Sequence, residues 1–211
     1  MKKVIFDLDG TLLQKNWSYE QEYFRSILNP DDAEKILSSM ATLLTEYEKN
    51  YFRYDINLLS AYLSEKTEID ISPNVVKKWI EAGCDYYDTV PGALEVLQYL
   101  RQKNKKIVAL SNWFTDMNVE RLKKAGLYDY FDEVYCSDRV DMKPNYGGYA
   151  IACGDVAFHD IVMIGDSLQV DVLTPLELGM DAVYFCPDET KEVENNKVKV
   201  IRNLKEIKEM Y

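Results

Sequence analysis

Two aspartates stand two residues apart in Asp7-Leu8-Asp9-Gly10-Thr11, directly after the apolar run Val4-Ile5-Phe6. Carboxylates this close at the end of a strand repel, and one pKa is pushed up. Such a pair is retained where a cation sits between the carboxylates, or where one of them holds a proton. Gly10 permits a sharp turn, and Thr11 adds a hydroxyl. Taken alone, the stretch also reads as a strand running into an Asp-Gly turn. Three more polar clusters decide between the readings. Ser111-Asn112 closes the run Ile107-Val108-Ala109-Leu110. Lys143-Pro144 lies in the loop after Val134-Tyr135-Cys136. Gly165-Asp166-Ser167 closes Ile161-Val162-Met163-Ile164.

Three carboxylates with oxygen-bearing companions suit a hard cation, magnesium first. Asp7 and Asp166 are the natural side-chain ligands. Asp9 offers its backbone carbonyl, which leaves its carboxyl free. Lys143 neutralises a bound anion or holds Asp7 ionised. Ser111 and the backbone amide of Asn112, near a helix start, donate hydrogen bonds to an oxyanion. This equipment fits phosphoryl transfer. Asp7 attacks phosphorus to form an aspartyl-phosphate, and magnesium with Lys143 spreads the charge of the transferring group. Asp9 protonates the leaving oxygen and then deprotonates the water that clears the intermediate. Asp171, five residues past Asp166, supports metal-bound water or Lys143.

Elements must bring these clusters to one edge. From Pro91-Gly92 onward, apolar strands alternate with helices marked by Leu94, Leu97 and Leu100, by Met117 to Ala125, and by Val170 to Leu178. Short continuous apolar runs of this kind predict a parallel sheet covered on both faces, a doubly wound, Rossmann-like α/β core. Ligands bind such sheets outside the carboxyl ends of the strands, where all four clusters fall. Between Thr11 and Pro91 the rhythm is helical throughout. Asn29-Pro30-Asp31-Asp32, Asp55 and Ser72-Pro73 are start signals, and Ile36, Leu37, Met40, Leu43, Leu44 and Tyr47 form an apolar stripe. Residues 14–88 are therefore expected to form an insert of about four helices, with residues 1–13 and 89–211 forming the core. Tyr51-Phe52-Arg53-Tyr54 breaks the helical pattern inside the insert.

The 211 residues are 47% hydrophobic and 29% charged, with a formal net charge of −11. An acidic chain repels phosphate backbones, which argues against nucleic acid and anionic membranes as partners. Four cysteines without a Cys-x-x-Cys pair, and a single histidine, give poor support for zinc. The cysteines read as small core hydrophobes in a reducing compartment, and His159 as structural. Only three apolar residues precede Asp7, far short of a signal core or a membrane span, so a cytoplasmic protein is expected.

With these residues in order, the sequence resembles the haloacid dehalogenase-like (HAD) superfamily. Its four motifs match Asp7-Leu8-Asp9-Gly10-Thr11, Leu110-Ser111-Asn112, Lys143-Pro144, and Gly165-Asp166-Ser167-Leu168-Gln169-Val170-Asp171. The resemblance covers essentially the whole chain and implies that the insert is a helical cap that closes over a magnesium site and selects the substrate. It implies Asp7 as nucleophile, Asp9 as acid/base, and Ser111 and Lys143 as phosphate contacts. It places Asp7, Asp9 and Asp166 around magnesium, with Asp171 supporting. Arg53 falls where similar caps carry a specificity loop, although a surface arginine is the simpler reading. An Asp at position 9 favours a phosphatase over the dehalogenases, whose intermediate needs no leaving-group acid. The expected function is a magnesium-dependent phosphate-monoester hydrolase acting on a small phosphorylated metabolite. A phosphomutase and a non-catalytic phosphate- or metal-binding module are the alternatives. Two features depart from the commonest pattern. Pro175 is expected to kink or end the helix after the fourth motif, and Tyr146-Gly147-Gly148 follows Lys143-Pro144.

Overall fold

Val4, Ile5 and Phe6 are fully buried in β1 (Lys3–Phe6), at the centre of the sheet. A computed structural model describes residues 2–190 and 198–210. In these residues β1 pairs on one side with β2 (Lys106–Ser111) and on the other with β4 (Ile161–Gly165). The sheet extends outward through β3 (Glu133–Cys136), β5 (Asp181–Phe185) and β6 (Lys199–Ile201). Its order is β3-β2-β1-β4-β5-β6, and every pairing is parallel. This is the expected doubly wound sheet. The order reverses beside β1, which opens a crevice at the carboxyl ends of β1 and β4. Register sets the strand ends level: Phe6 stands between Ala109 and Ile164, so Asp7 leaves the sheet level with Gly165.

Helices α5 (Ala93–Gln102) and α6 (Thr115–Lys124) lie on the sheet with α7 (Tyr146–Cys153). Three side-chain clusters pack against it. One holds Val4, Phe6, Val96 and Leu97, another holds Ile5, Val108, Tyr149 and Met163, and a third holds Val172, Ala182 and Tyr184. After β4 the chain winds as a π-helix over Leu168–Leu173 and then a short α-helix, α8 (Thr174–Glu177), with Pro175 in its first turn. The interruption expected at Pro175 is thus present. A proline cannot donate to a preceding carbonyl, and it is tolerated where a helix begins. The chain closes with α9 (Ile207–Met210).

Between β1 and β2 lie α1 (Ser18–Ile27), α2 (Pro30–Asn50), α3 (Ile56–Thr67) and α4 (Pro73–Gly83). The start signals act as read. The Asn29 side chain accepts from Asp32 N at 3.0 Å, Asp55 from Leu58 N at 2.9 Å, and Ser72 from Val75 N at 3.4 Å. Each satisfies one of the donors that a helix start leaves without a partner. These helices share their own apolar cluster, with Phe24, Ile36, Tyr47 and Trp79. Trp113, Phe114, Met117 and Met142 reach into it from the loops and helix beside the sheet edge. Two backbone bonds tie the segment between α2 and α3 to that edge: Met142 N to Phe52 O at 2.7 Å and Tyr54 N to Ser137 O at 2.8 Å. The four helices therefore stand over the crevice.

Candidate active site

Asp7 is the first residue past β1, and its amide donates to Ile164 O at 2.9 Å. Lys143 comes to it from the loop after β3. Its Nζ lies 2.8 Å from Asp7 Oδ1 and 2.6 Å from Asp171 Oδ1, and all three residues are buried. Burial works against the lysine's charge, but Asp171 and Asp7 outweigh it and raise its pKa. Burial likewise pushes Asp171 upward, against the pull of Lys143. Ser167 N steadies Asp171 through Oδ2 at 3.1 Å. Thr11 Oγ1 donates to Asp7 Oδ2 at 3.2 Å, so both oxygens of Asp7 are oriented.

Asn112 takes a role that its position did not announce. Its side chain donates to Lys143 O at 2.7 Å and accepts from Lys143 N at 2.8 Å, which clamps the lysine loop to the end of β2. Helix α6 starts only at Thr115, so the Asn112 amide is not at a helix N-terminus. Ser111 Oγ accepts from Asn118 Nδ2 at 3.4 Å, which leaves the hydroxyl proton to donate to a ligand. The departure at Gly147 and Gly148 has a steric cause. A Cβ on Gly147 would lie 2.2 Å from Asp141 Oδ2, and one on Gly148 would lie 2.2 Å from the Asp141 carbonyl oxygen. The two glycines let the Asp141–Lys143 loop rest against α7.

Asp9 is held apart from this cluster. Its Oδ1 lies 2.7 Å from an Arg121 NH2 group whose side chain is 2% exposed. Arg121 also donates to Tyr86 O at 2.7 Å and to Asn118 Oδ1 at 3.2 Å. Burial raises the Asp9 pKa, Arg121 opposes the rise, and the Asp7 charge adds to it. A carboxyl kept above its ordinary range is suited to carry a proton. Gly10, at φ +85°, turns the chain here. A Cβ on it would lie 2.4 Å from Asp166 Oδ2.

Asp166 leaves β4 beside Asp7. Lys15 Nζ lies 2.6 Å from Asp166 Oδ2, and burial raises the Asp166 pKa with further help from Asp7. Asp7, Asp166 and Asp171 each offer a carboxylate oxygen within 4.8 Å of the others. An oxygen-only donor set of this size suits a hard divalent cation. The charges agree with that fit, because among the described residues the four carboxylates pair with Lys15, Lys143 and Arg121, before any phosphate enters. The Asp9 carboxylate stands outside the three-residue set. Asp171 stands inside the set but already spends Oδ1 on Lys143.

Above these residues lies a cavity of about 450 Å³, floored by Asp7, Ser111 and Lys143 and roofed by Glu20, Met40, Leu44, Glu48 and Tyr54. Arg53 does not line it. Its Nε pairs with Asp141 Oδ1 at 2.9 Å, with half of the side chain exposed, so it joins the α2–α3 segment to the lysine loop. Sequence reasoning missed Arg121, Lys15, Glu20 and Glu48. For Arg121 a signal was present, since it stands four residues after Met117 on the buried face of α6, where a charge is out of place. His159 sits outside the cavity on an exposed turn, Cys136, Cys153 and Cys186 are buried, and Cys84 is half-buried.

The model of the haloacid dehalogenase-like hydrolase family matches residues 1–179. The chain belongs to that family, and it is an enzyme of the phosphatase kind. It is 27% identical over 203 residues to a glyceraldehyde 3-phosphate phosphatase of Pyrococcus abyssi, covering 88% of this chain and 81% of that protein. It is 29% identical over 122 residues to the pyrimidine 5'-nucleotidase YjjG of Escherichia coli, covering 56% of this chain and 54% of that one. Among solved structures, the magnesium-bound HAD-hydrolase YfnB of Bacillus subtilis superposes with a TM-score of 0.76 at 20% identity, covering 99% and 97% of the two chains. The L-2-haloacid dehalogenase of Xanthobacter autotrophicus gives 0.73 at 19% identity, covering 100% and 98%. These two share the fold. Among the described residues, no helix is long and apolar enough to cross a membrane.

Proposed function

We propose that the protein is a magnesium-dependent phosphate-monoester hydrolase that acts on a small phosphorylated metabolite through an aspartyl-phosphate on Asp7. Residues 14–88 serve as its cap, over a core of residues 1–13 and 89–211. The observation that carries the reading is the division of labour between two aspartates two residues apart. Asp7 is paired to buried Lys143, while Asp9 is held by Arg121 with its pKa raised by burial.

Asp7, Asp166 and the Asp9 carbonyl are the residues to hold magnesium, which would supply positive charge to the phosphoryl oxygens. A carboxylate oxygen of Asp7 attacks phosphorus, and the bond from phosphorus to the alcohol oxygen breaks. Asp9 delivers its proton to that oxygen. Water then attacks the aspartyl-phosphate, Asp9 takes the water's proton, and phosphate leaves with Asp7 restored. Lys143 and the Ser111 hydroxyl neutralise charge on the phosphoryl group throughout. Asp171 and Asn112 keep Lys143 in place, and the roof of the cavity limits access of bulk water. Arg53 acts only by joining cap to core through Asp141. That the named relatives are phosphatases and a nucleotidase supports hydrolysis over a mutase.

The test is release of p-nitrophenol from p-nitrophenyl phosphate. Turnover is expected with magnesium and lost on chelation, and Asp7→Asn is expected to lower it by about 10³-fold or more. A folded protein that binds magnesium but hydrolyses no phosphate ester would falsify the reading.

A further inference from the structure

The roof of the cavity carries carboxylates and no available cation. Glu20 projects from α1 and Glu48 from α2 into the same chamber as Asp7 and Ser111. Among the lining residues the cations are Lys15 and Lys143, held by Asp166 and by Asp7 with Asp171. Glu48 Oε1 accepts from the Tyr54 hydroxyl at 2.9 Å. Glu20 is only 9% exposed, yet its carboxylate has no hydrogen-bond or ion-pair partner among the described residues. A largely buried carboxylate that opens into the chamber without a protein partner is costly to the fold, and a ligand entering the chamber can complete it. Burial pushes Glu20 up to about 7, as expected of an acid that lacks a counter-ion.

These two acids sit beyond the phosphate end of the chamber, where the alcohol part of a phosphate ester must lie. A second anionic group on that alcohol would meet Glu20 and Glu48, and Lys143, the lysine that acts on Glu48, is already held by Asp7 and Asp171. A positively charged group would find a carboxylate with no partner, beside the aromatic rings of Trp17, Tyr54 and Trp113.

We propose that the substrate's leaving alcohol carries an ammonium group that pairs with Glu20, with Glu48 completing the anionic wall. The proposal rests on the phosphatase reading above and names the substrate class for that site. The reaction is unchanged: the phosphorus–oxygen bond is hydrolysed, the alcohol oxygen takes the Asp9 proton, and an amino alcohol and phosphate leave.

The test is kcat/KM with magnesium for four esters and p-nitrophenyl phosphate. O-phosphoethanolamine and phosphocholine represent the ammonium class, glycerol 3-phosphate the neutral class and phosphoglycolate the anionic class. The ammonium esters are expected to exceed the neutral one by about ten-fold or more, with the anionic one lowest. In Glu20→Gln the ratio of ammonium to neutral ester is expected to fall by a similar factor, mainly through KM, with a smaller fall in Glu48→Gln. A ratio is insensitive to loss of folded protein, which lowers both rates alike. A neutral or anionic ester leading in the parent protein overturns the proposal, as does a ratio unmoved in both variants. Either result alongside turnover of p-nitrophenyl phosphate leaves the phosphatase reading standing. No turnover of any ester overturns both.

Discussion

Glu20→Gln is expected to make the protein more stable above neutral pH and to leave it nearly unchanged in acid. Glu20 moves from an ordinary value of 4.5 to about 7 through burial. In the folded protein its proton is held more tightly than in the unfolded chain. Stability from this group is therefore fully present below about pH 4.5 and is lost as pH rises towards 7. With 1.36 kcal/mol for each pKa unit, the charged form costs the fold on the order of 3 kcal/mol above pH 7. Glutamine has a similar shape and no charge, so the variant escapes that cost. In a domain of this size the gain corresponds to roughly 6–12 °C in Tm. Guanidinium denaturation of both proteins at about pH 4.5 and about pH 8 supplies the measurement. Asp9, Asp166 and Asp171 are also raised, so the parent protein has further pH dependence of its own. That dependence is common to both chains and cancels in the difference. Equal differences at the two pH values would refute the assignment of a buried acid without a partner at Glu20. A stabilised variant that handles its substrates poorly is the trade expected of a residue kept for binding.

Three further outcomes follow from packing and charge. Arg121→Met leaves the half-buried Asp9 carboxylate without its partner and is expected to cost about 2–4 kcal/mol in denaturant titration. Adding Asp9→Asn to that variant should recover part of the loss, and a cost below about 1 kcal/mol would show that the pair does not anchor α6 to the site. Gly165→Ala places a Cβ 2.3 Å from Asp171 Cγ and is expected to cost about 1–3 kcal/mol. Because Asp171 must then move off Lys143, p-nitrophenyl phosphate turnover should fall with it, and unchanged activity would mean that Asp171 does not hold the lysine. Arg53→Ala breaks an exposed pair worth about 0.2–1 kcal/mol, so thermal stability should barely change and the order of preference among phosphate esters should stay the same.

What the sequence made legible is what local chemistry determines. Asp7, Ser111, Lys143 and Asp166 could be placed at one edge because strand ends in a parallel sheet point the same way, and the apolar runs mark those ends. Asn29, Asp55 and Ser72 could be read as helix starts because a cap bonds within three residues. Pro175 could be read as an interruption because its effect is on its own backbone, although the π-helical winding ahead of it left no such mark. Arg121 was legible only as a charge on the buried face of α6; its pairing was not, because its partner Asp9 lies on the other side of the whole insert, and the pairing exists only once α6 lies against the sheet edge. Glu20 and Glu48 failed for another reason. A glutamate on an amphipathic helix reads as a solvated face, and only the docking of that helix shows that the polar face is turned into a chamber.

The two parts of the site differ in how completely their charges are met, and that difference separates reaction from specificity. At the floor, each charged group has a partner in the chain itself: Lys143 with Asp7 and Asp171, Arg121 with Asp9, and Lys15 with Asp166. Such pairing fixes geometry before any ligand arrives, as catalysis by oriented charge demands. It also explains why Asp7, Lys143 and Asp166 are recognisable from short motifs, since Asp7 and Asp166 stand at strand ends and Lys143 in the loop after β3. At the roof, Glu48 is met by a neutral hydroxyl and Glu20 by nothing in the described chain. An anionic wall left incomplete in this way stabilises no fold, and its charge is balanced by a held proton or by the molecule that enters. The floor therefore carries what this chain shares with its hydrolase family. The roof carries the charge pattern by which this chain selects within it.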